Sequence, residues 1–134
     1  MTILYVDSSA LLKRVVAEPE SSAVRLLLRE ADAAGDLLTA SSLAWLEVWR
    51  SLRRVGVADL AATVNSALSG VASFPLRDSV VLRARQVGND ALRSLDAIHL
   101  AAALAVGAES ILTYDDRLAD SAAAVGLNIL APRE

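Results

Sequence analysis

Along its whole length this chain alternates short apolar runs with longer stretches of helical period, and few folds accommodate that pattern. Ile3-Leu4-Tyr5-Val6 ends abruptly at Asp7, and Leu37-Leu38-Thr39-Ala40, 71–74, 110–114 and 127–130 repeat the pattern. Runs of four or five residues suit strands, not helices. With a helix between successive strands, neighbouring strands must pair in parallel through crossovers. The expected architecture is a three-layer α/β/α domain with a central parallel sheet of four or five strands, built from residues 1–134 as one domain.

The intervening segments carry their own boundary signals. Ser8 and Ser9 are placed to cap a helix through Ala10, Leu11, Leu12, Val15 and Val16, which Glu18-Pro19-Glu20 interrupts. Residues 21–34 put Val24, Leu27, Leu28 and Ala31 on one face before Gly35-Asp36 stops the pattern. Ser41-Ser42 opens a helix whose Trp45, Val48, Trp49 and Leu52 form a core stripe, ended by Gly56. Further helices are expected over 58–68, 78–87, 94–107 and 117–125, the last capped by Asp116. The apolar face of 58–68 suits either its own core or a twin chain.

Composition narrows the chemistry. Twenty-six Ala and 23 Leu with only 4% aromatic residues mean closely spaced helices around an aliphatic core. The absence of Cys excludes a disulfide framework or thiolate site, and His99 is the single His, so any metal must take oxygen ligands. No apolar run approaches the roughly 18 residues of a membrane helix, and a soluble, cytoplasmic protein is expected. Thirteen basic and sixteen acidic side chains leave a charge of −3, which argues against coating nucleic acid by bulk electrostatics. Yet seven basic residues and only three acids fall between Arg50 and Arg93, which separates a basic segment from an acidic remainder.

Four carboxylates stand out within that remainder or beside it. Asp7 follows the first strand and Asp115 the strand near Thr113, and ligands of open parallel sheets bind outside such strand ends, although an Asp there also serves as a helix cap. Asp96, two residues after Ser94, the expected cap, opens a helix that is apolar nearly all round. It either complements the helix dipole or sits where a carboxylate needs a partner or an ion. Glu47 lies across its helix from the two Trp, as a rim acid paired with Arg50 or as a fourth member of the set. Together they form an oxygen-rich group suited to hard cations, Mg²⁺ or Mn²⁺, and hence to phosphate chemistry. Ser9 and Thr113 carry hydroxyls that could orient these acids. His99, one turn after Asp96, reads as a satisfied core histidine, and Arg50, Arg53 and Arg54 as a solvated face or a path for a nucleic-acid backbone.

Four motifs occur in order: Asp7-Ser8-Ser9-Ala10-Leu11-Leu12-Lys13, Glu47 within Ser-Ser-Leu-Ala-Trp-Leu-Glu-Val, Ser94-Leu95-Asp96-Ala97-Ile98-His99-Leu100-Ala101, and Thr113-Tyr114-Asp115. In this order and context the chain resembles PIN-domain ribonucleases of the VapC toxin type, over essentially its full length. The resemblance implies a PIN fold in which Asp7, Glu47, Asp96 and Asp115 converge on a Mg²⁺ or Mn²⁺ site that cleaves single-stranded regions of RNA. It implies supporting roles for Ser9 and Thr113, with Asp116 adjoining the fourth acid and able to share its role. It also implies a homodimer and a small antitoxin partner.

Three other readings are weighed against this one. A phosphatase with an Asp nucleophile after the first strand expects a second Asp two residues on, where this chain has Ser9. A receiver domain needs a Lys after a late strand, and the only Lys is Lys13. The non-enzymatic reading is a catalytically inactive PIN-like module that binds RNA or protein, its acids merely capping helices.

Overall fold

The computed structural model describes residues 2–133. In chain order its elements are β1 (Ile3–Val6), α1 (Ser8–Leu12), α2 (Ser21–Ala33), β2 (Leu37–Ser41), α3 (Leu43–Val55), α4 (Leu60–Ala67), β3 (Ala72–Phe74), α5 (Asp78–Ala84), α6 (Ser94–Val106), β4 (Ser110–Leu112), α7 (Asp116–Ala124) and β5 (Asn128–Leu130). The strands form one five-stranded sheet in the order β3-β2-β1-β4-β5, with every neighbouring pair parallel.

Strand periodicity divides the core into two layers. Leu4 and Val6 of β1, Leu38 and Ala40 of β2, and Leu112 of β4 pack with Ala10, Leu11, Val24, Leu28, Ala44, Val48, Leu52 and Val64, so α1 to α4 cover this face. Tyr5 and Ile111, one residue out of phase, face Val80, Leu100, Leu118 and Ala122, so α5 to α7 cover the other. The run Ala101-Ala102-Ala103 is fully buried, because small side chains let α6 lie close against the sheet. Both α3 and α6 end at a glycine in the left-handed conformation, Gly56 at φ +82° and Gly107 at φ +77°, which side-chain-bearing residues rarely adopt.

Two details depart from what the sequence predicts. The first helix ends at Leu12 instead of reaching Val16, because the Ser21 hydroxyl donates to the Val16 carbonyl and accepts from the Glu18 N–H, which turns the chain early. The core stripe of α3 is Ala44, Val48 and Leu52. Trp49 lies about 100° around the helix from Val48 and is 41% exposed, while Trp45 is half-buried. Of the two readings open for 58–68, α4 takes the first where Val64 and Ala67 are concerned, which lie in the chain's own core.

The topology selects where a ligand would go. From β1 the chain builds outward to β2 and β3 on one side, then returns to place β4 and β5 on the other. The order therefore reverses between β1 and β4, and the crevice beyond their carboxyl ends is framed by loops that diverge to opposite faces. Asp7 leaves β1 there, and Thr113 to Asp115 leave β4.

Candidate active site

Asp7 is almost fully buried and occupies the N-cap position of α1, yet its carboxylate makes no capping bond. Its Oδ2 instead accepts the hydroxyls of Ser9 at 2.7 Å and Thr113 at 3.0 Å. Each hydroxyl also serves a second partner, since Ser9 Oγ accepts the Tyr114 N–H and Thr113 Oγ1 accepts the Asp115 N–H, both at 3.1 Å. Two hydroxyls thus stitch the loop after β1 to the loop after β4. Their protons offset the desolvation of a carboxylate that would otherwise be costly to bury. Both hydroxyls singled out in the sequence meet at the same acid.

Period-two alternation puts Tyr5 and Asp7 on the α6 side of the sheet, and helical spacing puts Asp96 and His99 on one side of α6. His99 is fully buried, with Nε2 at 2.5 Å from Glu47 Oε1, 3.6 Å from Asp7 Oδ1, and Nδ1 at 2.7 Å from the Tyr5 hydroxyl. The rim pairing of Glu47 with Arg50 does not form: α3 turns Glu47 inward, where a ring nitrogen is nearer than any guanidinium. His99 is a satisfied buried histidine, as its sequence context predicts, but its partners are the acids of the crevice. The signals that could have found it were its spacing of three from Asp96 and the Tyr5/Asp7 alternation, meaningful only once α6 is laid across β1.

Asp96 and Asp115 complete the set. The cap of α6 is Arg93, not Ser94, and Asp96 lies in its first turn without committing its carboxylate to capping. Asp115, not Asp116, is the N-cap of α7, with Oδ1 accepting the Leu118 N–H at 3.1 Å. Burial, then the charges of Asp115 and Asp7, push the Asp96 carboxyl up to about 6, against relief from His99. For His99, burial works against the charged form, but the bond to Glu47 and the charges of Asp7, Glu47 and Asp96 prevail and hold it above its ordinary value.

Glu47, Asp96, Asp115 and Asp116 line an open cleft of about 530 Å³ together with Arg93 and Arg117. Neither arginine stands out in the sequence, although each lies close to a site acid: Arg93 three residues before Asp96, Arg117 two after Asp115. A second groove of about 350 Å³ adjoins it across Glu47 and carries Arg50 and Arg54, one helical turn apart, while Arg53 points elsewhere.

As to an ion, the donor chemistry fits. The acids offer oxygen, and the repulsion felt at Asp96 is what a divalent cation would relieve. Among the described residues, however, no three His, Asp or Glu side chains already close on one coordination point. One oxygen of each of three acids is committed within the protein, Asp7 Oδ2 to the hydroxyls, Glu47 Oε1 to His99 and Asp115 Oδ1 to the α7 cap.

Comparison with known proteins agrees with this architecture. The PIN domain family model matches residues 4–124. Ribonuclease VapC47 of Mycobacterium tuberculosis (strain CDC 1551 / Oshkosh) is 35% identical over 132 residues, covering 97% of each chain. Ribonuclease VapC46 of Mycobacterium tuberculosis (strain ATCC 25618 / H37Rv) is 37% identical over 134 residues, covering 98% of this chain and 99% of its own. Among solved structures, Mycobacterium tuberculosis VapC20, a Sarcin-Ricin loop cleaving toxin, superposes with a TM-score of 0.74 at 19% identity over 96% of this chain and 99% of its own. VapBC2 from Rickettsia felis, bound to a DNA fragment from their promoter, gives 0.71 at 13% identity over 96% and 98%. With the acids gathered at the switch point of a PIN fold and full-length relatives of one kind, this chain belongs to the PIN-domain family, among the VapC ribonucleases.

Proposed function

We propose that this chain is the endoribonuclease toxin of a toxin–antitoxin pair, acting in the cytoplasm. It would hydrolyse RNA phosphodiester bonds with a Mg²⁺ or Mn²⁺ ion held by Asp7, Glu47, Asp96 and Asp115. The observation that carries this reading is the crowding of carboxylates in an arginine-flanked cleft at the sheet's switch point, with Asp96 driven up to about 6 by burial and its acidic neighbours.

When bound, such an ion supplies Lewis acidity toward a phosphodiester and lowers the pKa of water. The chain's own residues do the rest. Ser9 and Thr113 hold Asp7 in one orientation through Oδ2, leaving Oδ1 without a hydrogen bond and 3.6 Å from His99 Nε2. Asp115 gives Oδ1 to the α7 cap and keeps Oδ2. Arg93 and Arg117 at the cleft suit the phosphates of an RNA strand, and Arg50 and Arg54 extend a basic path along the neighbouring groove. Glu47 stands between the two, placed to accept a proton from an attacking water.

The antitoxin part of the reading is supported by structural neighbours that are toxin–antitoxin complexes, including one from Klebsiella pneumoniae with a TM-score of 0.66. Self-association belongs to the same reading, with a sedimentation mass twice that of the chain as its measure. Among the described residues no helix is long and apolar enough to cross a membrane.

The deciding experiment is cleavage of a mixed single-stranded RNA by antitoxin-free protein with Mg²⁺, with Mn²⁺ and with EDTA, for wild type, Asp7→Asn and Asp96→Asn. Cuts that need a divalent ion and vanish in both variants are expected. Folded wild type that cuts nothing across a broad RNA panel would instead make the chain a PIN-like binding module.

A further inference from the structure

Behind the cleft lies a buried polar chain that the hydrolytic reading does not use. The main-chain N–H of Ser41, at the end of β2, meets the Tyr5 hydroxyl at 2.9 Å. Tyr5 OH lies 2.7 Å from His99 Nδ1, and His99 Nε2 lies 2.5 Å from Glu47 Oε1. Tyr5 and His99 are both fully buried, their rings meeting edge to face at 67°.

Hydrogen-bond direction follows from the fixed end. An amide N–H only donates, so the Tyr5 oxygen accepts from Ser41 and has its own proton to give to Nδ1. With Nδ1 accepting, the neutral imidazole carries its hydrogen on Nε2 and donates it to Glu47. We propose that Tyr5 and His99 are positioning residues, a relay anchored on the Ser41 main chain that holds Glu47 by Oε1 and leaves Oε2 for the cleft.

Packing alone does not account for this arrangement. A Phe at position 5 would fill the same space in this apolar layer, and the hydroxyl is tolerated there only because both of its partners are in place. Glutamate is the most flexible of the four acids, with three side-chain torsions to fix before it can serve an ion or a water. Asp7 has two hydroxyls for that purpose and Asp115 a helix N-terminus, and His99 is the corresponding restraint on Glu47. The relay also ties α3 to α6 across the edge of β1, so the acid is indexed to the sheet rather than to a loop.

The inference rests on the reading of the cleft as a divalent-cation site, and its test separates the two. Because His99 is the only His, a sample labelled with ¹⁵N-histidine shows a single imidazole, with no assignment needed. In metal-free wild type at alkaline pH, once the imidazole is neutral, a proton on Nε2 with Nδ1 bare is expected, and a bare Nε2 with the proton on Nδ1 overturns the relay.

The second arm is Mn²⁺ binding by calorimetry. Tyr5→Phe and His99→Asn should each weaken it roughly tenfold, while His99→Gln, whose amide reaches the former Nε2 position, should restore most of the loss. A purely structural role would lower the unfolding midpoint of the Asn and Gln variants alike without splitting their affinities. Equal affinities for the folded Asn and Gln variants, or wild-type affinity in both, would overturn the proposal. Should wild type take up no Mn²⁺, the ion reading falls and the imidazole spectrum alone judges the relay.

Discussion

Replacing Asp96 by Asn should stabilise the metal-free protein while abolishing its activity, and the size of the gain follows from the site. The carboxyl is raised from 3.8 to about 6, first by burial and then by the charges of Asp115 and Asp7. A group whose folded pKa lies above its unfolded value binds its proton more tightly in the native state. Stability is therefore highest below about pH 4 and is lost as pH rises through about 6. Unscreened, a shift of that size corresponds to about 3 kcal/mol. The carboxyl is only half-buried, and solvent screening reduces this to about 1 kcal/mol. The neutral amide escapes the penalty. In EDTA at pH 8, Asp96→Asn should unfold about 1 kcal/mol later in urea and about 4 °C higher on heating. At pH 4 the two proteins should be indistinguishable. With Mn²⁺ at a hundred times its dissociation constant the order should invert, because an ion that binds only the folded wild type adds about 2.7 kcal/mol. A variant no more stable than wild type at pH 8, or one whose advantage persists undiminished at pH 4, would refute the argument that Asp96 is held ionised against its neighbours.

Thr113→Val keeps the shape but removes a donor to Asp7 and an acceptor for the Asp115 N–H, so urea unfolding at neutral pH should show a loss of about 2–4 kcal/mol. Gly88 sits at φ +73°, and an added Cβ would come within 2.5 Å of Leu92 Cδ2. Gly88→Ala should cost about 1–3 kcal/mol in the same assay, and a neutral result would mean that the 88–92 turn adapts freely. Combined charge reversal at Arg50 and Arg54 should weaken single-stranded RNA binding and flatten its logarithmic salt dependence by about 1.4, that is, about 0.7 per lost phosphate contact. Unchanged affinity would remove the groove from the substrate path.

The points at which sequence and structure agree, and those at which they part, have a common logic. The strand-to-acid junctions at Asp7 and Asp115 are legible because strand, acid and following helix are local events separated by a residue or two. The cap of α7 goes to Asp115 rather than Asp116 because helix starts are decided by a single backbone torsion, a finer scale than periodicity resolves. Spacing alone puts Trp49 in the core, yet the helix is rotated to set Ala44 and Val48 against the sheet and leaves the large ring at the surface. Arg50, one turn further along α3, is the obvious local partner for Glu47, but the partner it finds is 52 residues away.

From the sequence alone came the alternating pattern that dictates a parallel α/β/α sandwich, a property of short windows read at periods of 2 and 3.6, and a set of candidate acids and hydroxyls marked by their places at strand and helix ends and by the resemblance to PIN-domain ribonucleases. The tertiary structure decided which acids face one another, that His99 and Tyr5 stand behind Glu47, and that Arg93 and Arg117 flank the cleft. Those relations depend on strand order: reversal between β1 and β4 brings residues 7 and 113 within hydrogen-bond reach across 106 positions of chain. Crossovers set that order through the packing of whole helices on whole sheet faces, which no local window of sequence contains.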